Sequence, residues 1–279
     1  MANNLPRAKQ AAVIAALIEG NSIRSVERML DIHRDTIMRL GARVGNGCAE
    51  LLNERMHDLP CARLEIDELW SFVGKKQKRV RQPDDANRVG DQWVYVAIDG
   101  DTKPIPSFLV GKRTQENTNV FIEDVASRLR NRIQVSTDGL RMYAEAIEAS
   151  FGVDGVDYAT VVKEYEADTL SEGRYSPPRV TSVEKTPIFG APLAELVSTS
   201  YVERQNLTMR MGMRRFTRLT NGFSKKLENH CAAVALHVAH YNFARQHRTL
   251  RVTPAMAAGL ESTVWSVGDL LDAALERAA

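Results

Sequence analysis

The chain has 279 residues, 44% hydrophobic and 26% charged, an ordinary soluble composition with length for one large domain and a small one. Its 37 basic and 35 acidic residues leave a net charge of +2, so the overall balance singles out no partner. No apolar run is long enough to span a membrane, and the opening Met1–Pro6 lacks the apolar segment of a signal peptide, so the expected location is cytoplasmic. Three cysteines, Cys48, Cys61 and Cys231, have neither disulfide nor zinc-cluster spacing and read as free thiols.

In chain order, Arg7 to Glu19 is Ala-rich and closes at Gly20, which reads as a helix. Ser22 caps a second, short helix with Val26 and Leu30 inward. Asp31-Ile32-His33 forms a turn, and Arg34 to Val44 forms a third helix with Ile37, Leu40 and Val44 inward. This helix-turn-helix spacing exposes Arg34, Asp35, Thr36 and Arg39, and it nominates Arg34, Thr36 and Arg39 for contact with DNA. Gly45 to Pro60 reads as a connector, with a helical continuation through Leu51, Leu52 and Met56 as an option.

From Arg63 the pattern becomes strand-like. A first strand carries Asp67, and the basic segment 75–91 is a loop or hairpin tip. Trp93–Ile98 and Ile105–Val110 are the next strands. Thr114 caps a helix running to Arg130, with Val120, Phe121, Val125 and Leu129 at helical spacing. A fourth strand ends at Asp138, Leu140–Ala149 is a helix, and Tyr158–Val162 is a fifth strand. Segment 166–198, with its prolines, reads as a long irregular insertion. Helix returns around Ser200 and again from Ser224 to Phe243. The order strand, strand, strand, helix, strand, helix, strand, helix predicts an α/β fold. It is the ribonuclease H-like mixed sheet flanked by helices, preceded by a small all-α helix-turn-helix domain. The expected divisions are 1–60 for the helix-turn-helix domain and connector, 61–250 for the catalytic domain, and 251–279 for a C-terminal tail helix.

Asp67, Asp138 and Glu203 are the candidate catalytic and metal-ligating residues. Two strand-borne aspartates followed by a helix-borne glutamate suit two divalent cations, Mg²⁺ with Mn²⁺ able to substitute, serving an in-line phosphoryl displacement. Other acids are weaker candidates. Glu65 and Glu68 flank Asp67, with Glu68 on the opposite face of the strand. Asp99 and Asp101 lie in a turn, and Glu195 and Glu228 are alternatives to Glu203. From Arg204 to Lys226 there are seven basic residues and no acidic one. This run nominates Arg210, Arg214, Arg215, Arg218, Lys225 and Lys226 for DNA, with Asn206 sharing the face of Glu203, Arg210 and Arg214. Lys75 and Lys76 open a second basic cluster. Trp70 and Trp93 read as core aromatics. His237 and His240 lack a third ligand nearby, and no glycine-rich nucleotide loop is present.

Three segments together resemble bacterial insertion-sequence transposases of the aspartate–aspartate–glutamate type, most closely the insertion sequence one family. They are Ile66-Asp67-Glu68-Leu69-Trp70-Ser71-Phe72-Val73-Gly74, Ser136-Thr137-Asp138-Gly139 and Val202-Glu203-Arg204-Gln205-Asn206-Leu207. The resemblance covers most of residues 63–245. It implies a ribonuclease H-like catalytic domain, two divalent ions, and double-stranded DNA as partner, both terminal inverted repeats and target. It further implies action as a homo-oligomer on DNA ends. The family's N-terminal cysteine-rich zinc finger has no counterpart cysteines here. A non-catalytic helix-turn-helix repressor and a ribonuclease H-like nuclease are the alternatives from other classes.

Overall fold

The computed structural model describes residues 5–166, 179–217 and 220–278. Six strands form one mixed sheet: β1 (Arg63–Val73), β2 (Gly90–Asp99), β3 (Phe108–Gly111), β4 (Ile133–Thr137), β5 (Val156–Glu166) and β6 (Arg179–Phe189). Their spatial order is β3-β2-β1-β4-β5-β6. β1, β2 and β3 form an antiparallel meander, β4 and β5 run parallel to β1, and β6 returns antiparallel to β5. This is the ribonuclease H-like mixed sheet expected from the sequence, extended by a sixth strand.

Side-chain alternation along β1 sorts the core into two layers. Leu64 and Ile66 face α4 (Gln115–Arg128) and α5 (Met142–Phe151), packing with Phe121, Val125, Tyr143 and Ile147. Leu69, with Val94, Val96 and Ile98 of β2, faces the other way. There it meets α3 (Arg34–Arg55), α6 (Ser200–Gly212), α7 (Leu227–Ala239) and α9 (Val267–Arg277). Burial on both faces explains the unbroken apolar run Trp93–Ile98 of β2.

The N-terminal helices α1 (Arg7–Ile18) and α2 (Ile23–Leu30) close a small core of their own with the start of α3, built on Val13, Val26, Ile32 and Ile37. Ser22 caps α2 by accepting from the Ser25 amide. Asp31 ends α2 in the left-handed region (φ 52°), a conformation aspartate tolerates better than most residues.

The structure departs from the sequence expectations in four places. Of the two readings of 45–60, the helical continuation holds: α3 runs unbroken to Arg55, so Gly45 does not start a connector. Gly45 and Gly47 are contact points: an added Cβ would lie 2.1 Å from the Ala232 carbonyl oxygen of α7 and 1.8 Å from that of Ala274 in α9. The two glycines let three helices touch. Segment 166–198 is not irregular throughout, because 179–189 form β6 and β5 extends to Glu166. Residues 167–178 lie outside the described residues. Pro187 is accommodated because β6 is an edge strand. Val120 is 51% exposed, since α4 turns that side away from the sheet. The last expected helix also divides: α7 stops at Ala239, a π turn covers His240–Ala244, and α8 (Pro254–Ala257) precedes α9. Among the described residues no helix is long and apolar enough to cross a membrane.

Candidate metal centre

The site forms where β4 ends. β4 pairs with β1 only from Arg63 to Ile66, whose partner is Thr137. Asp138 is the next residue, so it leaves the sheet beside the point where β1 goes on through Asp67 and Glu68 paired only with β2. The gap lets carboxylates from both faces of β1 reach the same place. Asp67, Glu68 and Asp138 each offer an oxygen, and these oxygens lie within 4.8 Å of one another. Glu68 does sit on the opposite face from Asp67, as alternation requires, with Tyr95 opposite it in the α4–α5 layer. Its carboxylate nevertheless joins the cluster around the unpaired edge.

Each acid has a distinct environment. Asp67 Oδ2 accepts from Asn206 Nδ2 at 2.8 Å. Burial, then the charges of Asp138 and Glu203, push its pKa up to about 6 against the pull of that amide. Glu68 is nearly closed to solvent, its side chain 1% exposed, with Oε2 3.0 Å from Arg113 Nη2. Its Oε1 is buried with no hydrogen-bond donor. Burial raises its pKa to about 7, helped by Asp138 and Asp67 and opposed by the Tyr143 hydroxyl and Arg113. The Arg113 guanidinium lies 4.7 Å from the Trp93 ring centre and 3.9 Å from Asp138 Oδ2. Asp138 is more open, and its Oδ1 accepts from the Leu140 amide at 3.0 Å, which shapes the turn into α5.

Glu203 comes from the first turn of α6, where the helix dipole favours a carboxylate. Its Oε1 accepts from Thr199 Oγ1 at 2.7 Å and from Lys163 Nζ of β5 at 2.5 Å. It is not a member of the tight cluster, although its charge reaches Asp67. Glu65 sets the position of α6: its buried Oε2 accepts from the Tyr201 and Val202 amides at 2.7 and 3.1 Å, capping the helix.

Of the remaining weaker candidates, Asp99, Asp101 and Glu228 have structural duties. Asp99 closes its turn through Asp101 N and Thr102 Oγ1, and Asp101 pairs with Arg63 at 2.8 Å. Glu228 pairs with Arg88, and Glu195 is exposed. His237 is buried with Nε2 unpartnered, and burial holds its pKa down to about 3. Neither His237 nor His240 belongs to the acidic group, the one such group found among the described residues. Burial raises the Cys48 thiol to about 12, consistent with a packing role.

The nominated DNA contacts are unevenly placed. Arg34 and Arg39 are exposed at the start of α3, and Thr36 is half-buried. Lys76, Arg210, Arg214, Lys225 and Lys226 are exposed. Lys75 is tied to Asp84 at 2.7 Å, and Arg215 turns inward to Ser224 Oγ at 3.0 Å. Asn206 is buried on Asp67, and Arg218 lies outside the described residues. Glu68, only a weaker candidate from the sequence, joins the site, and Arg113 and Lys163 are site residues the sequence did not single out. Their signal is weak because each joins the site through the end of a neighbouring strand or across the sheet.

The donor set is all carboxylate, and one buried oxygen of Glu68 lacks a donor. That combination fits a hard divalent cation such as Mg²⁺ or Mn²⁺.

No family model matches the chain, and no curated protein does. Among solved structures it is similar to the Mos1 strand transfer complex, at 15% identity over 57% of this chain and 59% of that one, with a TM-score of 0.25. It is also similar to a piggyBac transposase synaptic complex with hairpin DNA, at 10% identity over 96% and 69%, TM-score 0.45. A third is the Mos1 mariner paired end complex with Mn, at 13% identity over 85% and 77%, TM-score 0.27. The chain spans about 59% of the first of these.

Proposed function

We propose that this protein is a DNA transposase that cleaves its element's ends and joins them to target DNA by metal-dependent phosphoryl transfer. The observation that carries the reading is the convergence of Asp67, Glu68 and Asp138 at the end of β4. Glu203 stands next to them on the helix that Glu65 caps. A protein that only bound DNA would gain nothing from acids gathered where phosphates must pass.

Asp67, Asp138 and Glu203 are the proposed ligands for two Mg²⁺ ions, with Glu68 completing the acidic group beside Asp67 and Asp138. Ions held there would supply charge stabilisation to the attacking and leaving oxygens of an in-line displacement at phosphorus. The protein's own part is orientation. Asn206 fixes the Asp67 carboxylate, the α6 N-terminus and Thr199 hold Glu203, and Arg113 restrains Glu68 beside Asp138. DNA recognition is assigned to residues 1–60 through Arg34, Thr36 and Arg39. Lys76, Arg210, Arg214, Lys225 and Lys226 guide the backbone near the acids. Joining paired ends implies action as a homo-oligomer. The residue pattern favours the insertion sequence one family.

Strand transfer of labelled element-end DNA with Mg²⁺ or Mn²⁺, comparing the wild type with Asp138→Ala, tests this reading. Joined product from the wild type alone supports it. Cleavage without joining indicates a nuclease, and tight binding without cleavage by either protein indicates a repressor.

A further inference from the structure

Two side-chain cations already flank the acids. Arg113, laid against Trp93, spans Glu68 and Asp138. On the other side the Lys163 ammonium lies 2.5 Å from Glu203 Oε1, with its side chain only 17% exposed. The two cations are not equivalent. Arg113 pairs with Oε2 of Glu68 at 3.0 Å and lies farther, 3.9 Å, from Asp138, while the Asp67–Glu68–Asp138 oxygens stay within 4.8 Å of one another. Lys163 and Thr199 both donate to the same oxygen of Glu203, the one carboxylate that stands outside the cluster.

We propose that Lys163 is a placeholder for the second divalent ion. In the DNA-free protein the first ion enters at Asp67, Glu68 and Asp138, while the ammonium keeps Glu203 from sharing an ion with Asp67. The second ion binds when Lys163 is drawn away, and a DNA phosphate brought to the acids is the natural acceptor for that ammonium. Substrate arrival and completion of the metal site are thereby coupled, which keeps a fully charged cutting site from assembling without DNA. The energetic basis is a competition between two cations for one carboxylate: a half-buried ammonium must give up a short ion pair before Glu203 can turn to an ion. Lys163 is a gating residue in this scheme, not a catalytic one. The inference rests on the proposed two-ion reading of the acids.

The test is Mn²⁺ binding to the full chain without DNA, followed by calorimetry and by the electron paramagnetic resonance of free Mn²⁺. Wild type, Lys163→Met and Glu203→Gln are compared, with Lys163→Gln as a second variant should the first fold poorly. The expected wild-type isotherm has one tighter ion and one weaker ion. Removing the ammonium tightens the weaker ion by roughly three- to tenfold, the range for loss of one partly exposed competing charge, and leaves the tighter one unchanged. Glu203→Gln abolishes the weaker ion alone. Unchanged binding in both lysine variants overturns the placeholder role while leaving the two-ion site intact. Weaker binding of the second ion in those variants also overturns it, by making Lys163 an orienting group for Glu203. No Mn²⁺ binding by folded wild type removes the metal-site reading itself, a failure distinct from either lysine result.

Discussion

Asn206 lies one turn beyond Glu203 on α6, and its Nδ2 donates to Oδ2 of Asp67 on β1 at 2.8 Å. A single amide therefore links the helix that carries one proposed ligand to the strand that carries another. Substituting Asn206→Ala leaves a buried carboxylate without its donor. The expected cost is about 1–3 kcal/mol of stability, read from chemical denaturation, together with loss of strand transfer. Retained activity in a protein of unchanged stability would show that the link is incidental.

The apo protein should lose stability as pH rises through the range set by its site acids. Burial lifts Asp67 from 3.8 to about 6 and Glu68 from 4.5 to about 7, so the folded state holds protons that the unfolded state has released. Between roughly pH 4 and 7 this component of stability falls with pH. His230 and His237, each held down to about 3, act in the opposite sense, so the acid effect is read as a difference between proteins. Asp67→Asn should stabilise the metal-free protein by roughly 1–2 kcal/mol at pH 7.5, with little effect at pH 4, while abolishing strand transfer. Equal stability of the two proteins at pH 7.5 contradicts this account.

Mg²⁺ or Mn²⁺ should reverse the same penalty. An ion bound only by the folded state raises the melting temperature as its concentration increases. The shift should be large for wild type and absent for Asp67→Asn. A shift of the same size in the variant would mean that the ion binds elsewhere.

The helix cap at Glu65 offers a test of how α6 is placed. Its carboxylate accepts two amides of the first turn, so Glu65→Gln loses charge-assisted bonding at the positive end of the helix. A cost of about 1–2 kcal/mol is expected, with weaker Mn²⁺ binding because Glu203 lies in the same turn. Thermal melts and Mn²⁺ titration measure the two effects separately.

Gly47→Ala should be among the most damaging conservative substitutions in the chain. The new methyl would fall 1.8 Å from the Ala274 carbonyl oxygen, and backbone cannot yield as a flexible side chain would. Separating α3 from α9 should cost about 3 kcal/mol or more, measured by denaturant midpoint. Tolerance of alanine would mean that the two helices are not in contact in solution.

A buried relay shows how far local pattern falls short of tertiary detail. Ser71 Oγ donates to the Gln92 carbonyl at 2.9 Å, so it accepts from His230 Nε2 at 3.0 Å. His230 Nδ1 must then accept from Ser224 Oγ, which accepts from Arg215. The tautomer follows from the direction of the chain of bonds. Nothing in the spacing of these four residues announces it.

By itself the sequence determined the kinds of element and much of their order, because hydrophobic period and capping residues are local properties. Ser22 and Thr114 mark helix starts, and the alternation along β1 and the run Ile133–Thr137 mark strands that bring Asp67 and Asp138 to the sheet. Only the tertiary structure decided which carboxylates meet. Alternation puts Glu68 on the wrong face for the site, but alternation does not record where the neighbouring strand stops. Because β4 ends opposite Ile66, both faces of β1 open onto one gap and Glu68 joins Asp67 and Asp138 there. Lys163 reaches Glu203 because β5 lies beside β4 in the same sheet, and Gly45 and Gly47 join helices where local pattern left connector and helix both open. These outcomes depend on the distances between elements that are remote in sequence, which no local period encodes.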